Sequence, residues 1–188
     1  EYSTNMQHGE DTRYIKVVST AKHYADYDQE GNWGINRLAF DANVTEQDQV
    51  EYYWPAFRAA VQVGGVHSIM CSYPSINGVP ACGNDFFMNQ IAREEWGFDG
   101  YFISDEGALS DQAFINYVDK LYPNATETDK NLQTCRLGIE GGCDVDLGGF
   151  WLQWMQNAVE QGLVDEEVID RASHRFWRRV IETGEIDY

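Results

Sequence analysis

The sequence predicts an α/β protein organised on a parallel sheet. Short β-branched or aromatic runs alternate with amphipathic helical stretches about four times, without internal repeats or low-complexity linkers. Polar residues gather just after the strand-like runs, the edge at which parallel α/β folds bind their ligands. Within Gly100-Tyr-Phe-Ile-Ser-Asp-Glu-Gly107, three β-prone residues deliver a carboxylate, Asp105, before glycine breaks the pattern.

In chain order, residues 14–20 (Tyr-Ile-Lys-Val-Val-Ser-Thr) are expected to form the first strand, with Lys22 and His23 at its end. Residues 26–36 are polar and Gly-containing, with Tyr27 and Trp33, the composition of a loop over a site. Thr45 is the expected N-cap of the next helix, with Asp48 in the place of the capping-box acid. Val50, Trp54, Phe57 and Val61 mark its buried face, Pro55 is expected to kink it, and Gly64-Gly65 to stop it.

The next strand is expected over 66–73, followed by a turn at Asn77-Gly78. A helix from Asn84 or Asp85 then turns Phe87, Ile91 and Trp96 inward before Gly97. Beyond the Asp105 strand, the stretch 110–130 is acidic and aromatic, with a Tyr-Pro-Asn-Ala-Thr loop. A short helix over 131–140, closed by Gly141-Gly142, leads to a brief strand over 143–147. An aromatic helix from Trp151 to Gln161 follows. The last helix, 166–182, is capped by Asp165 and places Ile169, Ala172, Phe176 and Val180 on one face.

Pattern alone admits an open doubly wound sheet or a (β/α)8 barrel. No Gly-x-Gly-x-x-Gly or Gly-x-x-x-x-Gly-Lys-Ser/Thr turn follows any strand, which disfavours a nucleotide site. A whole barrel takes about 250 residues. The 188 residues here would form only part of one, its C-terminal portion.

Composition narrows the partners. With 31 acidic against 13 basic residues the net charge is −18, which excludes a nucleic-acid surface built on clustered Lys and Arg. No run approaches the roughly 18 consecutive apolar residues of a membrane helix, so no membrane partner is expected. The chain opens on Glu1 without an initiator Met or an apolar leader, and is read as a mature or excised segment. Its four cysteines can pair in three ways. Cys71 and Cys82 flank the Asn-Gly turn and could bridge, leaving Cys135 with Cys143; four free buried thiols is the other reading. Sequons at Asn43 and Asn124 fit an extracellular, secreted glycoprotein.

The strand-end residues are Lys22, His23, Tyr73, Asp105, Glu106, Asp144 and Asp146. Each has an ordinary reading: a solvated pair, a capping aromatic, turn or cap residues. Asp144 with Asp146 could also suggest Ca2+, for which two carboxylates supply too few oxygens. Together, a carboxylate beside Lys, His and Tyr in a chain rich in Trp and Tyr suits a sugar. Glycoside hydrolysis needs two carboxyl groups, one attacking the anomeric carbon and one protonating the leaving oxygen in retaining enzymes.

Ala21-Lys22-His23-Tyr24, Met70-Cys71-Ser72-Tyr73 with Asn77-Gly78-Val79-Pro80, Trp96-Gly97-Phe98-Asp99-Gly100 and Ile103-Ser104-Asp105 together resemble glycoside hydrolase family 3. Gly142-Cys-Asp-Val-Asp146 and Val168-Ile-Asp-Arg171 continue the likeness. Lys-His-Tyr-Ala-x-Tyr-Asp, Arg37-x-x-Phe-Asp-Ala and Cys71…Cys82 look most like its β-xylosidase and α-arabinofuranosidase branch.

The resemblance implies a partial (β/α)8 barrel, the C-terminal portion of that family's N-terminal catalytic domain, acting on oligosaccharides without a metal or organic cofactor. It implies Asp105 as nucleophile, Lys22 and His23 as holders of sugar hydroxyls, Tyr73 beside the nucleophile, and Met70 lining the pocket. Arg37 is expected in a structural salt bridge.

The general acid would come from a second domain outside this chain, and further sugar-binding residues from upstream strands. Glu106 and Glu30 are the alternatives within the chain. Alternation along a strand would turn Glu106 away from the bond that Asp105 attacks. Departures are Glu106 and Leu147, where the xylosidase branch often has cysteines, and Pro74, where Asn is usual. A β-glucosidase of the same family and a non-catalytic carbohydrate-binding or structural barrel fragment are the rival readings.

Overall fold

A computed structural model describes residues 2–11, 13–31 and 34–186. The chain runs α1 (Tyr2–Gln7), β1 (Thr20–Tyr24), β2 (Asp41–Ala42), α2 (Glu46–Asp48), a π-helical segment (Gln49–Tyr53) and α3 (Trp54–Gln62). It continues through β3 (Ser68–Cys71), β4 (Ser75–Ile76), β5 (Val79–Pro80), a second π-helical segment (Phe86–Glu95) and β6 (Tyr101–Ile103). Four helices close it: α4 (Gln112–Leu121), α5 (Glu127–Glu140), α6 (Phe150–Glu160) and α7 (Glu166–Glu182).

Strands β1, β3 and β6 form a parallel sheet in that order, with Thr20 opposite Ser68 and Met70 opposite Ile103. An isolated parallel bridge between Ile103 and Val145 extends it by one more position. Neighbours in space follow chain order without the reversal that defines a doubly wound sheet. The sheet is an arc of a (β/α)8 barrel wall. A small sheet of β2, β4 and β5 flanks it.

The core lies between this arc and its helices. Tyr24, 1% exposed, sits at its centre with Phe57, Phe87, Trp96 and Phe102 around its ring, and its hydroxyl donates to the Phe87 carbonyl at 3.0 Å. A buried tyrosine keeps its polar tip bonded in this way because an orphaned hydroxyl costs about 1–3 kcal/mol. Leu132, Cys135, Ile139, Ala158, Val164 and Ala172 form a second cluster.

Several local expectations hold. Thr45 caps α2 by accepting from the Asp48 N–H, α7 spans 166–182, and Phe87, Ile91 and Trp96 are buried. Cys71 is bonded to Cys82, with their Cα atoms 5.2 Å apart. Cys135 and Cys143 are not joined; both are buried free thiols.

Other expectations are corrected. The first strand is Thr20–Tyr24 rather than 14–20, so Lys22 and His23 lie within it. The backbone of residues 15 and 16 is used elsewhere, Ile15 N–H on Glu182 and Lys16 N–H on Gln7. The second strand shrinks to Ser68–Cys71, and the 143–147 strand to one bridge.

In the Gln49–Tyr53 π turn the extra residue per turn rotates Gln49 inward and leaves Val50 53% exposed. Pro55 follows at the start of α3, where its missing N–H is tolerated beside the widened turn. The acidic stretch 110–130 contains the ten-residue helix α4, and α5 begins at Glu127 with a Thr126–Asp129 capping box rather than at 131.

Candidate active site

Residues on or just past three neighbouring strands gather around Asp105 and Glu106. Asp105 follows β6 by two residues, and its Oδ1 accepts the N–H of Glu106 at 2.9 Å. Its Oδ2 lies 3.4 Å from Nε2 of His23, on β1. Strand β3 lies between β1 and β6 in the sheet, yet these two side chains meet, as the inward curve of the arc allows. The Asp105 side chain is 15% exposed: reachable, but largely out of water.

Tyr73, just past β3, donates its hydroxyl to the Glu106 carbonyl at 2.9 Å. The two faces of residue 106 are thus held, its N–H on the carboxylate and its C=O on Tyr73. Burial pushes the Tyr73 hydroxyl above its ordinary pKa, and the nearby Asp105 charge adds to this, so it stays a donor. Burial lowers the His23 pKa against the opposing pull of Asp105, favouring neutral imidazole. Lys22 is exposed beside them. Met70, half-buried on β3 and paired with Ile103, lies between the two flanking strands.

An aromatic and cationic rim borders this centre. The Arg37 guanidinium lies 4.9 Å from the Tyr73 ring centroid. It donates to Tyr27 at 3.3 Å and pairs with Glu30 at 3.0 Å, the salt bridge expected of it. Tyr27 in turn neighbours His23 and Tyr73. Hydrogen bonding from Arg37 holds the Glu30 carboxyl below the usual range, the opposite of what a general acid requires. Trp33 lies outside the described residues.

Glu106 corrects one argument. Strand β6 ends at Ile103, and Glu106 lies in the following turn, so strand alternation does not set its direction. Its side chain is exposed. The turn is fastened to the neighbouring loop by Gly107 N–H on the Leu147 carbonyl at 2.7 Å, which puts the two non-cysteine positions, 106 and 147, on adjoining loops.

Asp144 and Asp146 do not join the centre. Asp144, its side chain 1% exposed, pairs with Arg93 and with Arg175, and accepts the Phe102 N–H at 2.7 Å. Two guanidiniums therefore occupy the oxygens a cation would need. Asp146 accepts the Trp151 N–H, in the first turn of α6, at 2.8 Å. Among the described residues no group of three His, Cys, Asp or Glu is placed to hold a metal ion.

Two acids near the site were not singled out from sequence. Asp111 caps α4, its Oδ1 on the Ala113 N–H at 3.0 Å, while its buried Oδ2 has no partner among the described residues. Burial, with Asp105's charge a smaller contribution, pushes its carboxyl up to about 7. The available signal was an N-cap type of residue ahead of Phe114 and Val118, four apart. Asp26, at φ 58°, is 4% exposed and accepts from Gln49. Burial raises it to about 6. Its bond to Gln49 holds inward the side chain that the π turn rotates there.

The glycosyl hydrolase family 3 N-terminal domain pattern matches residues 1–179. A probable exo-1,4-beta-xylosidase, xlnD, of Aspergillus terreus is 38% identical over 190 residues, covering 100% of this chain and 23% of that protein. The structure of a GH3 exo-beta-xylosidase (XlnD) in complex with a xylobiose aziridine activity-based probe is similar with TM-score 0.83 and 34% identity, over 97% of this chain and 23% of that one. DesR, a beta-glucosidase from Streptomyces venezuelae in complex with D-glucose, is similar with TM-score 0.68 and 30% identity, over 90% of this chain and 20% of that one. The chain spans 23% of the length of the curated relatives it matches.

Proposed function

The chain belongs to glycoside hydrolase family 3, and from that premise we propose that it is part of a secreted, retaining exo-glycosidase. The enzyme removes β-linked sugars from non-reducing ends, most suitably those of β-1,4-xylo-oligosaccharides. The observation that carries this is Asp105 itself. It is a largely desolvated carboxylate at the C-terminal edge of a barrel arc, with one oxygen on a fixed backbone N–H and the other facing neutral His23.

In the double displacement, Asp105 attacks the anomeric carbon and the glycosidic C–O bond breaks as the leaving oxygen gains a proton. Water then cleaves the glycosyl ester. We assign the acid/base that serves both steps to the second domain that the family resemblance implies, with Glu30 engaged in its pair with Arg37 and Glu106 assigned to the substrate. Lys22 and His23 bind hydroxyls of the terminal sugar, Tyr73 keeps the nucleophile's loop in register, and Met70 lines the pocket floor. Exposed Glu106 stands at the pocket edge as a further hydroxyl contact. No step calls for a metal or organic cofactor.

A β-glucosidase reading is favoured by one observation, the 30% identity to the Streptomyces venezuelae glucosidase. The test is exposure of the full-length protein to dinitrophenyl 2-deoxy-2-fluoro-xyloside, whose leaving group departs without protonation. Peptide mapping is expected to find the sugar on Asp105. Labelling by the glucosyl analogue alone would move the substrate to glucose, and labelling by neither would end the catalytic reading.

A further inference from the structure

Two Asn-x-Thr sequons stand on the surface, Asn43-Val44-Thr45 and Asn124-Ala125-Thr126, and both asparagines are exposed. In each the threonine is a helix N-cap, Thr45 for α2 and Thr126 for α5. The surroundings of Asn43 add more. Its neighbour Val44 is clamped on both sides by Asn77, which accepts the Val44 N–H at 2.9 Å and donates to the Val44 carbonyl at 3.0 Å. Ahead of it, β2 pairs with β4, and Asp41 accepts the Gly78 N–H. The sequon backbone is therefore pinned, while the Asn43 carboxamide has no hydrogen-bond partner among the described residues.

Beside it lies a groove of about 460 Å³, in the size range of small-ligand sites, lined by Asn43, Asp48, Glu51, Tyr52 and Tyr53 among others. Tyr52 is 75% exposed, a large aromatic face left open on the surface. Pyranose rings match such a site, with C–H faces for the phenol ring and hydroxyl and amide N–H donors for the two carboxylates.

We propose that Asn43 carries an N-linked oligosaccharide whose first sugar rings lie in this groove against Tyr52. The inference rests on the secreted reading above. The modification joins the Asn43 amide nitrogen to the anomeric carbon of a polyprenyl-pyrophosphate-linked oligosaccharide. The pyrophosphate leaves with the electrons of its C–O bond, and the amide releases one proton.

The test uses full-length protein secreted from a eukaryotic host. The glycan is released by a peptide-N-glycosidase in isotopically heavy water, and the peptides are mapped by mass. Asn43 is expected to be converted to labelled aspartate. From the folded protein, release at Asn43 is expected to be several-fold faster in Tyr52→Ala than in the parent, with release at Asn124, where occupied, unchanged. Asn43→Gln should remove the Asn43 glycan without disturbing the Thr45 cap, which Thr45→Ala would also delete. A secreted protein with Asn124 occupied and Asn43 bare would overturn this inference alone. A protein retained in the cell with both sites bare would overturn it together with the secreted reading. Equal release from the parent and Tyr52→Ala would overturn the seat in the groove.

Discussion

Asp105 and Asp144 are carboxylates of the same sheet, one just past the end of β6 and one bonded to its middle, and they are treated oppositely. Asp144 is saturated: two arginines and the Phe102 N–H take its oxygens in a site with almost no solvent. Asp105 has one backbone N–H, a longer approach from neutral His23, and a side chain still partly open to water. A charge neutralised on all sides has no free-energy reason to attack anything. A carboxylate held in place but incompletely satisfied retains lone pairs for an electrophile. Burial alone does not separate the structural acid from the proposed nucleophile; the count and strength of its partners does.

The sharpest way to break this contrast is to neutralise each acid in the full-length protein. Asp105→Asn is expected to lower kcat by on the order of 10⁴-fold or more. Its cost in stability should be no more than about 1 kcal/mol, the worth of one ordinary hydrogen bond. Turnover within about tenfold of the parent's would remove Asp105 as nucleophile.

Asp144→Asn should behave the other way. It leaves Arg93, largely buried, without its counter-charge, a change that costs about 3–5 kcal/mol. Denaturant unfolding reads that loss, and an unchanged midpoint would mean the clamp is not what holds the Phe86–Glu95 segment and α7 to β6.

His23→Ala sharpens the comparison on the Asp105 side. Loss of a positioned donor is expected to lower kcat/KM by about 10²-fold with little change in melting temperature. A stability loss with normal kinetics would make His23 a packing residue.

The smallest effect concerns Asp111. Its folded carboxyl titrates near 7, above its unfolded value. The folded state therefore binds the extra proton between those values, and stability falls as pH rises through that window. Below it both states are protonated and the penalty is absent. Asp111→Asn keeps a good N-cap and should flatten this decline, so that the variant gains stability relative to the parent as pH rises from 4 to 8. Parallel stability curves for the two proteins would show that Asp111 does not titrate there.

Much of the candidate site was legible because its residues lie at or near the C-terminal ends of strands. Lys22, His23, Tyr73 and Asp105 could be picked out as polar residues after apolar runs, and two of them meet this turn, His23 at the Asp105 carboxylate and Tyr73 at the Glu106 carbonyl. The rim was less legible. Tyr27 and Arg37 belong to a loop whose path depends on the Arg37–Glu30 pair and the Tyr73 ring beneath it. Asp111 escaped notice because acidic and aromatic residues obscured a helix whose buried positions, Ala113, Phe114 and Val118, are few.

What the chain determined by itself was local. The Thr45–Asp48 cap, the inward set Phe87, Ile91 and Trp96, and the extent of α7 all depend on residues close together in the chain. Tertiary structure decided what depends on distant partners. It placed β1 at Thr20–Tyr24, because Ser68 pairs with Thr20, and ordered the strands as a barrel arc. It turned Gln49 rather than Val50 inward, towards Asp26. It left Cys135 and Cys143 apart and buried Arg179 against Asp99, eighty residues away in sequence. Caps, turns and periodicities are written within a few residues, whereas strand pairing and charge neutralisation exist only once remote segments have been brought together.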